Sequence, residues 1–490
     1  MKLSNINIIA IGCLMIGVSC KKFIEVDGPQ TSITQSEVYS SNEKATAAVS
    51  YIYYDMVATD AFAQGYRGIS MVGGLAADEL KTYSSQLDYM QFNTNAMLSD
   101  NLSLYEMWSD AYTNIYRANS VMENIAKSPA LSDQVKNQLN GEAKFMRAFF
   151  HFYLSGLFGK IPLAMSTDYN VNTRLARKPL AEVYSAIVAD LKDAQSLLTD
   201  EYLSGTNTAT TLRIRPNKAA ATALLAKVYL YMQEWANAET QASALIENST
   251  YVLEPDLLNV FKATSREAIW HLQPANTPMF TQDGAALLVT GNPASASFGF
   301  TNNSVLTQEL YNAFELTDKR RANWVGTLTV TAGTFRFASK YKSNQTNNTT
   351  PEYLMTFRLA EQYLIRAEAR AMQGKLTGAN SAAQDINTIR NRAFDTPGLK
   401  TTTAVTLTEM MAAIEYERKA ELFTEWGNRM MDIRRWKGFA NPGINRADEV
   451  MPKVMPEKGG SWTAYKTLFP VPLADIRKNP NLDQNPGYGL

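Results

Sequence analysis

Residues 224–232 read LLAKVYLYM and residues 358–366 read RLAEQYLIR. In register they share Leu225/Leu359, Ala226/Ala360, Tyr229/Tyr363 and Leu230/Leu364. These positions lie three and four residues apart, the spacing of one helical face. AFFHFYLSG at 148–156 is a looser third copy through Tyr153 and Leu154. After LLAKVYLYM comes QEWANAETQASALIE, a turn and a second helix with small alanines spaced for close packing. The alanine lets a paired helix approach, while Tyr and Leu fill the space beside it.

This is the helix–turn–helix logic of tetratricopeptide repeats. The copies are unevenly spaced, so the reading is an irregular superhelix with long insertions. Helical patterning covers about Asn42 to Asn248 and about Glu352 to Lys437, with runs such as Tyr105-Trp108-Tyr112-Ile115-Tyr116 and Phe145-Phe149-Phe152. Pro179 falls in the first turn of one helix and Pro216 starts another. Between the blocks the pattern changes. SREAIWHLQP (265–274) and TFRFASKYK (334–342) alternate like short strands. GNPASASFGFTNNS and KSNQTNNTTPE are loop-like, as is much of 60–100. Long loops of this kind in a compact protein carry function. The expected fold is mainly α, an irregular α–α superhelix of tetratricopeptide-like helix pairs with a loop-rich, partly β insertion on the ligand side. The expected organisation is a signal segment 1–19, a leash 20–41, a helical region 42–260 with a loop insertion 60–100, a loop-and-strand region 261–350, and a helical region with tail 351–490.

The leader MKLSNINIIAIGCLMIGVS has a basic start, a short apolar centre and a small-residue end, the layout of a secretory signal. It is too short for a convincing membrane span. Gly17-Val18-Ser19-Cys20 resembles a bacterial lipobox, with Gly17 where such motifs usually carry Leu. Cleavage before Cys20 removes Cys13, the other cysteine, so no intrachain disulfide can form. Acylation would consume the lone thiol, and two or three chains at about 0.8 kcal/mol per buried methylene hold permanently. Cys20 is therefore the expected lipidation site.

Lys+Arg and Asp+Glu are 47 each, so neither a basic tail for nucleic acid nor an acidic disordered run is present. Aromatics make up 10% of the chain, with 24 tyrosines, a surplus for surfaces that bind ring-shaped ligands. The two histidines, His151 and His271, are far apart, and there is no HExxH, GxSxG or Walker A motif. No cofactor, metal site or catalytic residue is expected, and His151, on an aromatic-rich helix, reads as core. One acidic constellation stands out, IEYERKAELFTEWGNRMMDIRRW at 414–436. Glu417, Glu421 and Glu425 fall one turn apart on one helical face. Paired carboxylates can run glycoside hydrolysis, but Arg418, Arg429, Arg434 and Arg435 are interleaved, and Glu425 to Arg429 is a favourable i,i+4 pair. Nearby arginines lower carboxylate pKa values, the opposite of what a general acid needs. The segment reads as an ion network.

At this point the chain resembles the SusD/RagB family of outer-membrane nutrient-binding lipoproteins. The resemblance rests on SCKKFIEVDGP, WSDAYTNIYRANSVMENI (108–125), GEAKFMRAFFHFYLSGLFGKIPL (141–163), RLAEQYLIRAEAR (358–370), DINTIRNRA (385–393), YERKAELFTEWGNRMMDIRRW (416–436) and FPVPLADIRKNPNLDQNPGYG (469–489), in that order. It implies a helical fold of tetratricopeptide-like units and a loop-rich ligand surface. It also implies a lipid-anchored protein on the outer face of the outer membrane, over a SusC-type TonB-dependent transporter. Such proteins act as a lid that captures oligosaccharides and delivers them to the channel; some relatives bind peptides. The helical repeats would face the transporter and the loops the ligand.

A sugar offers an apolar C–H face and a rim of hydroxyls, which suit an aromatic plate beside carboxylate, amide or guanidinium groups. Two loop regions supply these. The first offers Tyr66, Asp78, Glu79, Tyr83, Tyr89 and Asn93; the second offers Phe280, Asp283, Phe298, Asn302, Arg321 and Trp324. Tyr66, Asp78, Tyr83 and Trp324 are the leading candidates. Two other classes stay open on the residues alone: a surface glycosidase on the Glu417/Glu421/Glu425 face, and a helical scaffold that binds only proteins.

Overall fold

A computed structural model describes residues 35–489 apart from 60, 278, 296–302, 349, 397 and 399. Cys20, and with it the anchor and the signal segment, lies outside the described residues, as do Phe298 and Asn302.

The first helical block comprises α1 Asn42–Ala58, α2 Ile69–Ala76, α3 Leu87–Asn93, α4 Leu102–Ile125, α5 Asp133–Phe158, α6 Leu180–Leu197, α7 Lys218–Tyr231 and α8 Trp235–Ile246. The second comprises α9 Leu359–Met372, α10 Ala382–Ala393, α11 Leu407–Leu422, α12 Asn428–Arg435 and α13 Arg446–Lys458. From α4 to α10, each long helix packs on the next, and α8 packs on α9 across more than a hundred intervening residues. The superhelix is thus continuous although the chain leaves it. Pro179 caps α6, and Pro216 precedes the cap of α7, where the side chain of Asn217 accepts from the Ala220 N–H.

The two repeat copies meet. In α7 every residue from Ala219 to Leu230 is buried, as expected for a helix packed all round. Lys227 of α7 and Glu361 of α9 occupy equivalent positions in the two motifs, and they pair with each other at 2.9 Å in the interior. Tyr153, from the third copy, lies 5.4 Å from the Lys227 ammonium and packs against Phe149 and Trp426.

Six short strands matter for the site: β1 Leu80–Thr82, β2 Ala268–Leu272, β3 Ser304–Leu306, β4 Val325–Val330, β5 Gly333–Ala338 and β6 Leu354–Arg358. The expected strand in 265–274 is β2, and the one in 334–342 is β5. β2 pairs antiparallel with β6 and so closes the neck of the 261–350 insertion. Its Trp270 packs edge-on against Phe145 and Phe149 of α5 at 5.1 and 5.7 Å, seating that neck on the helical core. β4 and β5 form a hairpin. β1 pairs antiparallel with β3, which stitches the 60–100 insertion to the 261–350 insertion.

Two expectations need correction. The 60–100 segment is not all loop: the apolar run ISMVGGLA is α2, and all eight of its residues are buried. Helical structure also continues past Lys437 into α13, despite Pro452 and Pro456 inside it. Interior prolines cost hydrogen bonds, but α13 has an Asn445/Asp448 capping box, a left-handed Gly459 at its end and a buried face that includes Val450, Met451, Val454 and Met455.

α2 and α12 cross where Gly73 meets Gly427. A Cβ on Gly73 would sit 2.7 Å from the Gly427 Cα, a backbone atom that cannot rotate away, and Gly427 itself needs φ +63°. Overpacking of this kind costs about 1–3 kcal/mol. Gly73→Ala is expected to lower the urea midpoint with an unchanged slope; an unchanged midpoint would show that the two helices separate freely.

Candidate functional site

The acidic segment resolves into a buried lattice of ion pairs. Arg358, at the junction of β6 and α9, reaches Glu267 at 2.8 Å, Glu421 at 2.6 Å and Glu425 at 2.8 Å. Arg320 binds Asp318, Glu417 and Glu421 at 2.7–3.1 Å. Arg392 spans Glu267 and Glu421, Arg390 holds Glu417, and Lys340 holds Glu425. Burial would raise the Glu421 and Glu425 carboxyls, but the adjacent guanidinium groups outweigh it and hold both below the usual carboxylate range. At Glu417 burial wins over Arg320 and Arg390 and the carboxyl is pushed up.

The three glutamates do not share one helical face. α11 stops at Leu422, and the chain turns through left-handed backbone at Thr424 (φ +52°), Trp426 (φ +50°) and Gly427. Such conformations are costly for Thr and Trp. They are held by bonds from the Thr424 N–H to Glu79 Oε2 (3.2 Å), from the Trp426 N–H to Ser70 Oγ (3.1 Å) and from the Trp426 indole N–H to the Met355 carbonyl (2.7 Å). The expected Glu425–Arg429 pair is therefore absent. Arg429 turns to Asp78 at 2.7 Å and to Glu415 at 2.8 Å.

The same lattice claims several of the candidate ligand residues. Asp78 is fully buried between Arg429 and Lys419 (2.9 Å), which outweigh its burial and hold it ionised. Trp324 is fully buried, edge-on to Phe261, and its indole N–H donates to the Leu257 carbonyl at 3.0 Å. Tyr89 and Phe280 are buried. Buried Asn93 accepts from the Thr82 N–H and donates to the Lys458 carbonyl. Asp283, also buried, accepts from the Gly65 N–H at 2.8 Å. In this arrangement these side chains offer no surface to a ligand, because the two insertions use them to grip each other and the helices.

Three candidates remain at the surface. Tyr83, 42% exposed, follows β1 directly and stands edge-on to Phe335 of β5 at 5.5 Å, with the Lys81 ammonium 5.8 Å from its ring. Tyr66 is half-buried, its hydroxyl reaching the Ala285 carbonyl at 3.4 Å. Arg321 is half-buried and donates to the Tyr311 hydroxyl at 2.8 Å. Sequence reasoning missed Tyr311 and Arg336, whose guanidinium lies 4.8 Å from the Tyr311 ring centroid. The alternation in TFRFASKYK held the clue, since it turns Arg336 away from Phe335 and Phe337.

A separate groove of 560 Å³ lies between α4, residues 162–175 and residues 475–482. Tyr116 and Tyr169 rise from its rim, 52% and 76% exposed. Trp108 and Tyr112 line it, the Tyr112 hydroxyl donating to the Pro162 carbonyl at 2.8 Å. His151 and His271 are buried; burial, with Arg147 and Arg213 nearby, takes each down to about 3, so both stay neutral. Among the described residues no group of His, Cys, Asp or Glu is arranged to hold a metal ion, and no helix is long and apolar enough to cross a membrane.

Fold and site together define a helical-repeat protein whose two insertions are locked onto its C-terminal helices by buried charge. The comparisons agree. A sequence model described as the SusD family matches residues 307–488, and one described as starch-binding associating with outer membrane matches residues 22–230. The chain belongs to the SusD/RagB family. It is 26% identical to a SusD-like protein of Formosa agariphila, over 98% of each chain. It is 34% identical to the starch-binding protein SusD of Bacteroides thetaiotaomicron over a shorter stretch, 27% of this chain and 21% of that one. The solved structure of surface glycan-binding protein A from Bacteroides uniformis shares the fold with a TM-score of 0.76 at 19% identity, covering 91% of this chain and 99% of that one.

Two measurements test the buried charge. Arg358→Met leaves Glu267, Glu421 and Glu425 short of a partner, and removing one member of a buried pair costs about 3–5 kcal/mol; a loss below about 1 kcal/mol in denaturant unfolding would refute the lattice's role. The second concerns Glu79. Burial, and Asp78 beside it, push its carboxyl up to about 8 from an ordinary value of 4.5. Between these values the unfolded chain releases a proton that the native chain keeps, so this group makes stability fall as pH rises. Lys458, which burial takes down to about 7, acts in the opposite sense above that pH. Between pH 5 and 7, Glu79→Gln is therefore expected to recover about 1–3 kcal/mol relative to the parent; parallel stability curves would refute the shift.

Proposed function

We propose that this protein is a cell-surface oligosaccharide receptor. It captures glycan on the face built by its two insertions and, as a lid, passes it to a SusC-type TonB-dependent transporter without cleaving it. The observation that carries the reading is Tyr83, an exposed aromatic plate at the seam where β1 meets β3, in a chain of this family. A pyranose stacks its C–H face on such a ring, while neighbouring side chains meet its hydroxyls. Tyr66 and Arg321 stand in the same two insertions. The buried lattice beneath keeps this face preformed, which lowers the ordering cost of binding. The matched model's description as starch-binding, and the names of the relatives, support a glycan as ligand. Glu417, Glu421 and Glu425 are all engaged by arginine or lysine, which disfavours a glycosidase.

The groove between α4 and the C-terminal tail, with its exposed Tyr116 and Tyr169, is the surface this reading gives to the transporter. Cys20 supplies the anchor to the outer membrane. Ligand shifts the lid only through a difference in affinity between open and closed states.

Calorimetry against a panel of oligosaccharides and peptides is the direct test. Tyr83→Ala is expected to weaken the bound oligosaccharide by about tenfold or more, the loss typical of a central aromatic anchor; full affinity in the variant, or binding of peptides alone, would reject the reading. Cys20→Ala is expected to leave folding unchanged and to release the protein from the membrane fraction; retention there would reject the anchor.

A further inference from the structure

The chain carries equal numbers of acidic and basic residues, and its buried arginines are almost all matched to carboxylates. Arg321 and Arg336 depart from this pattern. Both are half-buried, and both stack on Tyr311, their guanidinium carbons 4.6 and 4.8 Å from its ring centroid. Among the described residues neither has a carboxylate oxygen within 4.0 Å. The nearby acids are committed elsewhere: Glu309 to Lys419 at 3.6 Å, Glu315 to Arg390 and Lys400 at 2.6 and 3.1 Å, and Asp318 to Arg320 at 2.7 Å. The Nε of Arg336 is buried with no acceptor. Two like charges share one ring here, and like charges that close repel.

We propose that Arg321 and Arg336 form an oxyanion clamp, and that the glycan taken at this face bears carboxylate or sulfate groups. The inference rests on the insertion face being the ligand face. The planar guanidinium fork suits a carboxylate or a sulfate ester, and contact with Tyr311 keeps both forks ordered before ligand arrives. An oxyanion between them would offset their repulsion. Phe335 of β5 touches Tyr83, and Arg336, the next residue, turns to the other side of the strand and touches Tyr311.

The test uses the full chain with three probes: plain maltohexaose, sulfated maltohexaose and hexagalacturonate. At least one anionic probe is expected to bind roughly tenfold or more tightly than plain maltohexaose at low salt, with the advantage shrinking as salt screens the charges. Which probe gains identifies sulfate or carboxylate as the group held. The double variant Arg321→Ala/Arg336→Ala should erase that advantage, and the double Lys variant should restore only part of it, because an ammonium keeps the charge but lacks the fork. Equal affinity for all three probes, silence toward all three, or anion binding unchanged in the double Ala variant would each overturn the clamp. If plain maltohexaose binds, fails to bind Tyr83→Ala and gains nothing from charge, the receptor reading survives and the clamp alone falls.

Discussion

The insertions are seated on a lattice of ten charges, nine of them buried and Arg390 half-buried. Five cations, Arg320, Lys340, Arg358, Arg390 and Arg392, meet five carboxylates, Glu267, Asp318, Glu417, Glu421 and Glu425. Burying such groups is expensive, and the attraction between them roughly returns what desolvation takes. The lattice therefore adds little net stability. It specifies which segments meet, since any other arrangement strands a charge in the interior. Arg358 and Arg392 both tie Glu267, at the neck of the second insertion, to Glu421 at the end of α11.

That constraint explains how a superhelix assembled from local helix pairs can carry a face made of two segments more than two hundred residues apart. β1 and β3 pair by backbone bonds, Asp283 caps the Gly65 N–H, and the Thr307 hydroxyl donates to the Asp78 carbonyl. Asp78 is in turn clamped by Arg429 and Lys419. The strained turn at 424–427 belongs to the same assembly, because Glu79 and Ser70 of the first insertion hold it. Polar side chains that look like a ligand shell in sequence are thus spent on holding the platform rigid. Tyr83, Tyr311, Arg321 and Arg336 are left at its surface.

Glu79 and Lys458 lie deep in this platform. Burial favours the uncharged form of each, and the Lys458 ammonium reaches the carbonyls of Leu75 and Ala77. The balance between paired charge and neutralised charge gives the seam a pH-sensitive stability unrelated to any chemistry on a substrate.

The helical repeats were legible in sequence because a helix reports its buried face every three to four residues; Leu225, Ala226, Tyr229 and Leu230 needed no partner to be recognised, and neither did the alternation of β5. The ion-network reading of 414–436 also followed from local composition, since arginines are interleaved with the glutamates. The identity of the partners did not follow. Glu425 and Arg429 sit at ideal helical spacing, yet a left-handed turn separates them and sends each to a residue far away in the chain. Asp78 and Trp324 have the chemistry of a sugar site, but their burial is decided by what packs over them. Local periodicity thus determined the class of fold and its repeat units. Which side chains the insertions leave exposed was decided by tertiary structure alone, because exposure and ion pairing depend on segments that meet only once the chain has closed.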